Sequence, residues 1–248
     1  MPRRSRPHSD VREGGSAAQD TPDGAVPTGE PGPQNEAVDS IGRHDDYEQG
    51  ALTEAELDPD PFRQLARWLA DAEAAELPSP NAMVLGTVGP AGPTSRTVLL
   101  KDLAGARLEF VTNATSRKGR ALTADGRVSL LLPWYALERQ VLVDGVATPA
   151  PDGRSDRYWA GRPRGSQLAA WASDQSQPIA SRDALEARVR EVEERFAGAG
   201  AIPRPPHWGA WLVEPSRIEF WQGRPSRLHD RLVFTREPDG WRIERLQP

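Results

Sequence analysis

Four clusters of basic and hydroxyl side chains are the residues best suited to chemistry in this chain. In the first, Arg96 and Lys101 bracket a short run of strand-forming residues. The second, Ser116-Arg117-Lys118, follows Thr112-Asn113 at the start of a predicted helix, where unpaired N–H groups and the helix dipole favour an anion. These features predict an anion-binding site. A solvent-exposed basic turn is the alternative that such short spacing leaves open.

The third cluster contains Tyr158, Arg162, Arg164 and Ser166. Tyr158 and Arg162 are four residues apart, so they share one face if a helix continues through both. Hydroxyl groups and a guanidinium together could surround a phosphate. The alternative is an ion pair with Asp156 at the end of the helix.

The fourth cluster lies within residues 221–231. Arg227, His229 and Arg231 alternate along the sequence, so their side chains share one face in an extended chain. A row of cations with one titratable imidazole would suit an anionic ligand that exchanges protons. The alternative is an exposed strand whose cations pair with nearby acidic residues.

The residue content excludes several common kinds of site. The 248 residues include no cysteine, which excludes disulfides, thiolate nucleophiles, iron–sulfur clusters and cysteine-based zinc sites. The four histidines lack metal-ligand spacing, so no metal site is predicted. The sequence also contains no phosphate-loop, dinucleotide-binding or serine-hydrolase motif.

Charge is distributed unevenly along the chain. Residues 1–57 carry 5 arginines and 12 acidic residues, whereas residues 58–248 have a net charge of +2. This near balance argues against a nucleic-acid partner. Only two of the 31 basic residues are lysines, Lys101 and Lys118, and both fall in the first two clusters.

The apolar residues exclude a membrane-embedded or exported protein. No apolar run reaches 18 residues, so no transmembrane helix is predicted. The basic N-terminus is not followed by the apolar segment of a secretory signal. We therefore expect a cytoplasmic protein with no membrane partner.

The chain is predicted to have three parts. Residues 1–40 contain six prolines and five glycines but no aromatic residue, so they are predicted to be a disordered acidic tail. Residues 41–57, which include Tyr47, form a predicted arm or lid that orders against the folded body or a ligand. Residues 58–248 form the predicted folded domain.

Strand patterns dominate the predicted domain. Asp60 and Pro61 mark the start of a helix that should end near Leu77. Strands are predicted over residues 83–88, 95–101, 107–112, 127–134, 139–147, 208–213, 217–221, 232–236 and 241–246, and further helices over 117–123, 155–161, 166–171 and 181–196. This order predicts a mainly β (α+β) fold, an antiparallel Greek-key-like barrel with peripheral helices.

Together these segments resemble the pyridoxine/pyridoxamine 5′-phosphate oxidase family from about Tyr47 to Pro248. The resemblance rests on NAMV at 81–84, RTVLLK at 96–101, TN at 112–113, SRK at 116–118, PW at 133–134, LERQV at 137–141, RPRGSQ at 162–167, QS at 175–176, WG at 208–209, IEFWQG at 218–223, RLHDR at 227–231 and ERLQP at 244–248. It implies an FMN-binding split barrel that works as a homodimer with FMN at the subunit interface. It also implies oxidation of pyridoxamine or pyridoxine 5′-phosphate to pyridoxal 5′-phosphate, with O₂ reduced to H₂O₂.

The resemblance also assigns roles by position. It implies FMN contacts at Arg96, Thr97, Val98, Leu99, Leu100, Lys101, Val111, Thr112, Arg117, Lys118, Gln140, Gln175, Ser176, Trp221 and Arg231. It implies substrate contacts at Tyr47, Lys101, Tyr158, Arg162, Ser166, Arg227, Leu228 and His229. Of these, Arg227 and His229 lie over the substrate ring in the family and are the expected catalytic residues.

Two other functions are compatible with the same motifs. A non-catalytic carrier or sensor of FMN or pyridoxal phosphate would use the same phosphate clusters but would not need Arg227 and His229. A split-barrel reductase with a different flavin-like cofactor is the second alternative. The motifs at 162–167 and 227–231 weigh against it.

Overall fold

The structure is a computed structural model that describes residues 46–103 and 105–248. The predicted disordered tail and the first residues of the predicted arm lie outside the described residues. Five α-helices and nine β-strands form in the described part of the chain. None of the helices described is long and apolar enough to cross a membrane.

The nine strands form a single antiparallel sheet. They are β1 (Ala82–Gly89), β2 (Gly92–Leu99), β3 (Asp102–Leu103), β4 (Leu108–Asn113), β5 (Arg127–Trp134), β6 (Arg139–Pro149), β7 (Trp208–Gln222), β8 (Asp230–Glu237) and β9 (Gly240–Arg245). Their order is β2-β1-β5-β6-β7-β4-β3, and β8 pairs with both β7 and β9. Leu100 and Lys101 connect the two end strands, β2 and β3, so no ladder among the described strands closes the predicted barrel.

Three of the five described helices begin at a side-chain cap. The five are α1 (Pro61–Ala74), α2 (Arg117–Ala124), α3 (Asp152–Ala160), α4 (Arg164–Ala172) and α5 (Arg182–Arg195). The side chains of Asp60, Ser116 and Ser181 accept hydrogen bonds from backbone N–H groups in the first turns of α1, α2 and α5. Each cap satisfies a donor that the helix itself leaves unpaired, so these helices start where their sequences indicate.

Two predicted strands, 208–213 and 217–221, are in fact the single strand β7. The prediction of two strands was wrong: residues 214–216 continue the strand, although they include Pro215, which cannot donate to a ladder. The β6–β7 ladder instead shifts register between Asp144 and Gly145, opposite Pro215. A Cβ on Gly145 would lie 2.4 Å from the Glu214 carbonyl oxygen, so glycine permits the close approach at this bulge.

Two hydrophobic clusters form the core of the described chain. The larger fills the sheet and includes the fully buried Phe110, Phe220 and Phe234. The smaller contains Trp159, Leu168, Phe196, Ile202 and Trp208. Its members come from α3, α4, the end of α5, the loop after it and the start of β7, so this second cluster fixes these helices against one end of the longest strand.

Candidate active site

Four predicted substrate residues converge at the border between two cavities. These residues, the border cluster, are Lys101, Tyr158, Arg162 and Ser166, and all four line both cavities. The first cavity has a volume of about 590 Å³ and the second about 500 Å³. Both are within the size range of small-molecule sites.

Aromatic stacking holds the border cluster in place. The Tyr158 ring lies 5.9 Å from the Trp208 ring at an interplanar angle of 23°. Lys101 Nζ lies 5.5 Å from the Tyr158 ring centre, and the Arg162 guanidinium lies 4.8 Å from the Trp208 ring. Trp208 therefore brings together residues from three different segments.

The condition for Tyr158 and Arg162 to share a helix face, a helix that continues through both, is not met. Helix α3 ends at Ala160, before Arg162, and Pro163 precedes the first residue of α4. Both side chains reach the site because they contact Trp208, not because they occupy one helix.

Asp156, the expected ion-pair partner in the alternative to a phosphate site, pairs with Arg204, which lies outside the third cluster. Asp156 accepts a hydrogen bond of 2.6 Å from Arg204 Nε. Arg164, which was grouped with the phosphate residues, instead donates to the carbonyl oxygens of Phe196 and Ala199. It lines neither cavity. Arg164 therefore has a structural contact outside the site.

The Arg162 guanidinium has unused hydrogen-bonding capacity. Its Nη2 donates to the Ser166 carbonyl oxygen at 3.1 Å, but its buried Nε has no hydrogen-bond partner among the described residues. Burial lowers the pKa of Arg162 below its ordinary value. Because a buried donor without a partner costs about 1–3 kcal/mol, an anionic oxygen at this position would be stabilised.

Many of the residues predicted to contact FMN line the second cavity. Its lining includes Thr97, Val98, Leu99, Lys101, Val111, Thr112, Lys118 and Gln175. Leu100 differs, since its side chain is buried in the main core. The hydroxyl of Thr112 is buried in the cavity wall and has no partner within the described chain. The wall thus offers a polar group to a ligand.

Three cations lie close together beside this cavity. Burial and the nearby charge of Arg117 lower the pKa of Arg96, while burial and the charge of Arg96 lower the pKa of Lys118. Within residues 46–103 and 105–248, none of the three forms an ion pair. Cations that repel one another without an acidic partner form a site that an anion would stabilise.

Local contacts set the position of these cations. Arg96 donates to the hydroxyls of Thr87 and Thr94 at 2.7 and 2.6 Å. Lys118 Nζ donates to Gln175 Oε1 at 2.7 Å, which connects α2 to the segment that follows α4. Ser176, the next residue, is exposed and has a left-handed φ of 71°. Arg96, Lys118 and Gln175 are therefore held near the second cavity.

Gly119 is a site-shaping residue that sequence reasoning missed. A Cβ at this position would lie 2.4 Å from the carbonyl oxygens of both Asn113 and Ala114. Only glycine allows the first turn of α2 to pack so closely on the end of β4. The close packing holds the start of α2 at the second cavity, where Lys118 and Thr112 both form part of the lining. A glycine in the first turn of a predicted helix was the available signal.

Arg154 is a second residue that the sequence analysis missed. It lines the first cavity and donates to Glu109 Oε2 at 2.6 Å and to Asp102 Oδ2 at 2.7 Å. These bonds fasten α3, which carries Tyr158, to β3 and β4. The acidic Glu109 inside a predicted strand was a signal that a basic partner lay opposite.

A second group of predicted residues forms a ring cluster of Tyr47, Trp221 and His229. The ring centroids lie 5.7 Å apart for Tyr47–Trp221, 5.3 Å for Tyr47–His229 and 4.6 Å for Trp221–His229. A Cβ on Gly223 would lie 2.8 Å from the Tyr47 ring. Glycine at this position therefore makes room for Tyr47 on the sheet.

A row of three predicted FMN residues crosses the sheet beside the ring cluster. Gln140 pairs with Trp221 in the β6–β7 ladder, and Trp221 pairs with Arg231 in the β7–β8 ladder. Because directly paired residues point to the same face, all three side chains project from one side.

The extended conformation predicted for Arg227 and His229 is wrong. Residues Pro225–Arg227 form a single 3-10 turn, and β8 starts only at Asp230. Ser226 and Arg227 have left-handed φ values of 56° and 60°, a strained conformation of the kind that concentrates at functional sites. Leu228, between the two predicted catalytic residues, is 70% exposed.

The His229 imidazole accepts a hydrogen bond from the backbone. Its Nδ1 accepts a hydrogen bond from the Arg224 backbone N–H at 3.2 Å. Burial and the nearby Arg227 charge lower the pKa of His229 below its ordinary 6.5. With Nδ1 accepting, the proton of the neutral ring is assigned to Nε2, which makes Nε2 a hydrogen-bond donor.

The two groups of residues lie at opposite ends of β7. Thr112 pairs with Gly209 near the start of this strand, whereas Gln140 and Arg231 pair with Trp221 near its end. Twelve residues of strand span about 40 Å along the chain. A single copy therefore does not bring the border cluster and the ring cluster together.

Comparisons with known proteins identify the family of this chain. Residues 69–196 match the pyridoxamine 5′-phosphate oxidase family, and residues 208–248 match the pyridoxine 5′-phosphate oxidase C-terminal dimerisation region. The pyridoxine/pyridoxamine 5′-phosphate oxidase of Rubrobacter xylanophilus is 52% identical over 217 residues, which is 87% of this chain and 100% of that protein.

Solved structures share the same fold. PhzG from Burkholderia lata, solved with tetrahydrophenazine-1-carboxylic acid, has a TM-score of 0.74 and 34% identity over 80% of this chain and 98% of its own. A pyridoxamine 5′-phosphate oxidase-related, FMN-binding protein from Nostoc punctiforme has a TM-score of 0.61 and 17% identity, covering 77% and 100%. The predicted split-barrel fold is therefore confirmed, and the chain belongs to the pyridoxine/pyridoxamine 5′-phosphate oxidase family.

Proposed function

We propose that this protein oxidises pyridoxamine 5′-phosphate and pyridoxine 5′-phosphate to pyridoxal 5′-phosphate, with FMN as cofactor and O₂ as electron acceptor. The observation that carries the proposal is the presence of two separate sets of cations without acidic partners in the described chain. One set is Arg96, Arg117 and Lys118; the other is Lys101 and Arg162. A phosphorylated cofactor and a phosphorylated substrate require two such anion sites.

The residues around the second cavity fit FMN. The cations Arg96, Arg117 and Lys118 would hold its phosphate, at the start of α2 where backbone N–H groups also point outward. The unpaired hydroxyl of Thr112 would contribute a further hydrogen bond. When bound, FMN supplies the electron acceptor for a hydride from the substrate C4′ atom and passes the electrons to O₂.

The border cluster would hold the substrate phosphate. Arg162 presents an unpaired Nε, and Lys101, Tyr158 and Ser166 add an ammonium and two hydroxyls around it. Fixing the phosphate at this border would orient the substrate ring toward the second cavity. Such orientation converts binding energy into a reactive alignment of substrate and cofactor.

The ring cluster would complete the site from a second copy of the chain. Arg227 and His229 lie at the far end of β7 from the border cluster, within the segment that matches a dimerisation region. In a homodimer, the end of β7 from one copy would cover the cavities of the other. The FMN would then lie at the interface, between Thr112 and Lys118 of one copy and Trp221 and Arg231 of the other.

Within that composite site, Arg227 and His229 would act on the substrate ring. Arg227 would orient the ring through its charge. His229 would donate a hydrogen bond from Nε2, because its Nδ1 is already occupied by the Arg224 N–H. After hydride loss, water replaces the amine of pyridoxamine 5′-phosphate and releases ammonia and the aldehyde.

A second candidate reaction is suggested by the PhzG structure, whose bound compound is a tricyclic carboxylic acid. That compound has no phosphate, so it would leave much of the border cluster without a partner. A carrier or sensor would retain both phosphate sites but would not require Arg227 and His229. The phosphorylated substrates therefore account for more of the described residues than either alternative.

Mixed dimers test the proposal. A copy with Arg162→Ala and a copy with His229→Ala should each have a strongly reduced kcat/KM as pure homodimers. In a mixed dimer, one composite site contains both substitutions and the other contains none, so activity should return to about half of the wild-type value. If each site came from one chain, every site would carry one substitution and no activity would return. That outcome would overturn the shared-site arrangement.

A further inference from the structure

A chain of alternating charges leads to the FMN row on the sheet. Asp144 Oδ2 lies 3.6 Å from Arg217 Nη1, Arg217 Nη2 donates to Glu219 Oε2 at 2.6 Å, and Glu219 Oε1 accepts from Arg231 Nε at 2.7 Å. Arg231 is the residue that pairs with Trp221 in that row. Neither the sequence motifs nor the proposed function assigns Glu219 a role.

Glu219 is unusual because its carboxylate is buried yet ionised. Its side chain is only 3% exposed. Burial acts to raise the pKa of Glu219, but the hydrogen bonds from Arg231 and Arg217 outweigh burial and lower the pKa below its ordinary value. A buried carboxylate with a guanidinium on each side has a fixed position and a fixed charge.

The contact with Glu219 determines which atoms of Arg231 remain available. Glu219 occupies Nε, and the Gln247 carbonyl oxygen accepts from Nη1 at 3.2 Å. Among the described residues, Nη2 has no hydrogen-bond partner. The guanidinium is therefore held through Nε and Nη1 and presents the N–H groups of Nη2 to a ligand.

We infer that Glu219 is a positioning residue for the flavin: it holds Arg231 toward the bound ring and offsets part of its positive charge. This inference rests on the proposed function, because it requires FMN beside Arg231. Reduced flavin carries more negative charge than oxidised flavin, so an uncompensated cation nearby stabilises the reduced form. Glu219 thereby limits how strongly Arg231 favours reduced FMN.

Two substitutions in this chain of charges should change the affinity for reduced FMN, relative to oxidised FMN, in opposite directions. Glu219→Gln keeps an oxygen acceptor for Arg231 but removes the negative charge, so reduced FMN should bind at least tenfold more tightly relative to oxidised FMN. For a two-electron couple, this ratio corresponds to a rise in potential of about 30 mV. Arg217→Gln leaves the carboxylate with one cation instead of two, so the ratio should move in the opposite direction.

Two control variants separate charge from packing. Glu219→Asp keeps the negative charge, so its ratio should lie closer to the wild-type ratio than that of Glu219→Gln. Glu186→Gln removes the same charge from an exposed ion pair with Arg182 on α5 and should leave the ratio unchanged. Melting temperature is measured for every variant, since loss of a buried pair also lowers stability.

The experiment measures the dissociation constants of oxidised and reduced FMN, together with the reduction potential of the bound flavin. Opposite shifts for Glu219→Gln and Arg217→Gln would support the inference, even if both variants lose stability. Shifts in the same direction, or wild-type ratios in both variants that bind FMN, would overturn it. If Glu219→Gln does not fold, a wild-type ratio for Arg217→Gln alone overturns it. Failure of the wild-type protein to bind FMN would overturn the proposed function as well.

Discussion

Replacing Arg162 with alanine should weaken substrate binding far more than FMN binding. Arg162 lines both cavities, stacks on Trp208 at 4.8 Å and has a buried Nε without a partner in the described chain. In the proposed function, its free donors bind the substrate phosphate, and a different set of cations binds the FMN phosphate.

The magnitude follows from the contacts that the substitution removes. A charge-assisted hydrogen bond contributes about 1.5–3 kcal/mol, and truncating one partner of a buried charge pair costs about 2–5 kcal/mol. Because Arg162 is only half-buried, a loss of about 3 kcal/mol is expected. This loss corresponds to roughly a 150-fold increase in the dissociation constant.

The assay is titration of the FMN-loaded protein with pyridoxamine 5′-phosphate, together with a separate FMN titration of the apoprotein. Arg164→Ala is the matched control, because Arg164 lies two residues away but contacts only the carbonyl oxygens of Phe196 and Ala199. The control should bind both ligands normally. If Arg162→Ala instead loses FMN and keeps its affinity for the substrate, the division of cations between the two phosphates is wrong.

The remaining predictions concern the cofactor, the ring cluster and the arm. FMN should bind at least about 100-fold more tightly than riboflavin, since two charge-assisted contacts of about 1.5 kcal/mol each are lost with the phosphate; equal affinities in a fluorescence titration would contradict this. Arg227→Ala or His229→Ala should lower kcat/KM at least about tenfold, or about 1.4 kcal/mol, with FMN content unchanged; wild-type kinetics in both would favour a carrier. The pKa of His229 is lowered below 6.5, so kcat/KM should be constant near neutral pH and should fall as the pH drops through that pKa. The pH profile of His229→Gln should not show this fall at acidic pH. Deleting residues 1–40 should leave the melting temperature and activity unchanged, whereas deleting residues 1–57 also removes Tyr47 and the Glu54–Arg245 ion pair and should lower both.

Local signals in the sequence predicted the helix starts well. The caps at Asp60, Ser116 and Ser181 depend on side chains that bond to backbone within three residues. The hairpin at Asp239-Gly240 is likewise local and joins β8 to β9. These features depend on residues that are close together in the sequence, so a single sequence is sufficient to predict them.

The errors arose where distant residues decide the geometry. Pro215 remains within a strand because Gly145, seventy residues away, accommodates the bulge. Arg162 reaches the border cluster through Trp208 rather than through the helix of Tyr158. The separation of the two groups along β7 also depends on sheet topology, which neither spacing nor composition encodes.

The most direct test of the proposed function is the reaction of the FMN-loaded protein with pyridoxamine 5′-phosphate in air, with product and peroxide measured together. The protein should form pyridoxal 5′-phosphate and H₂O₂ in equal amounts over many turnovers, and Arg162→Ala should do so only at much higher substrate concentration. Tight binding of FMN and substrate without formation of either product would contradict the account, because it would identify the chain as a binding protein.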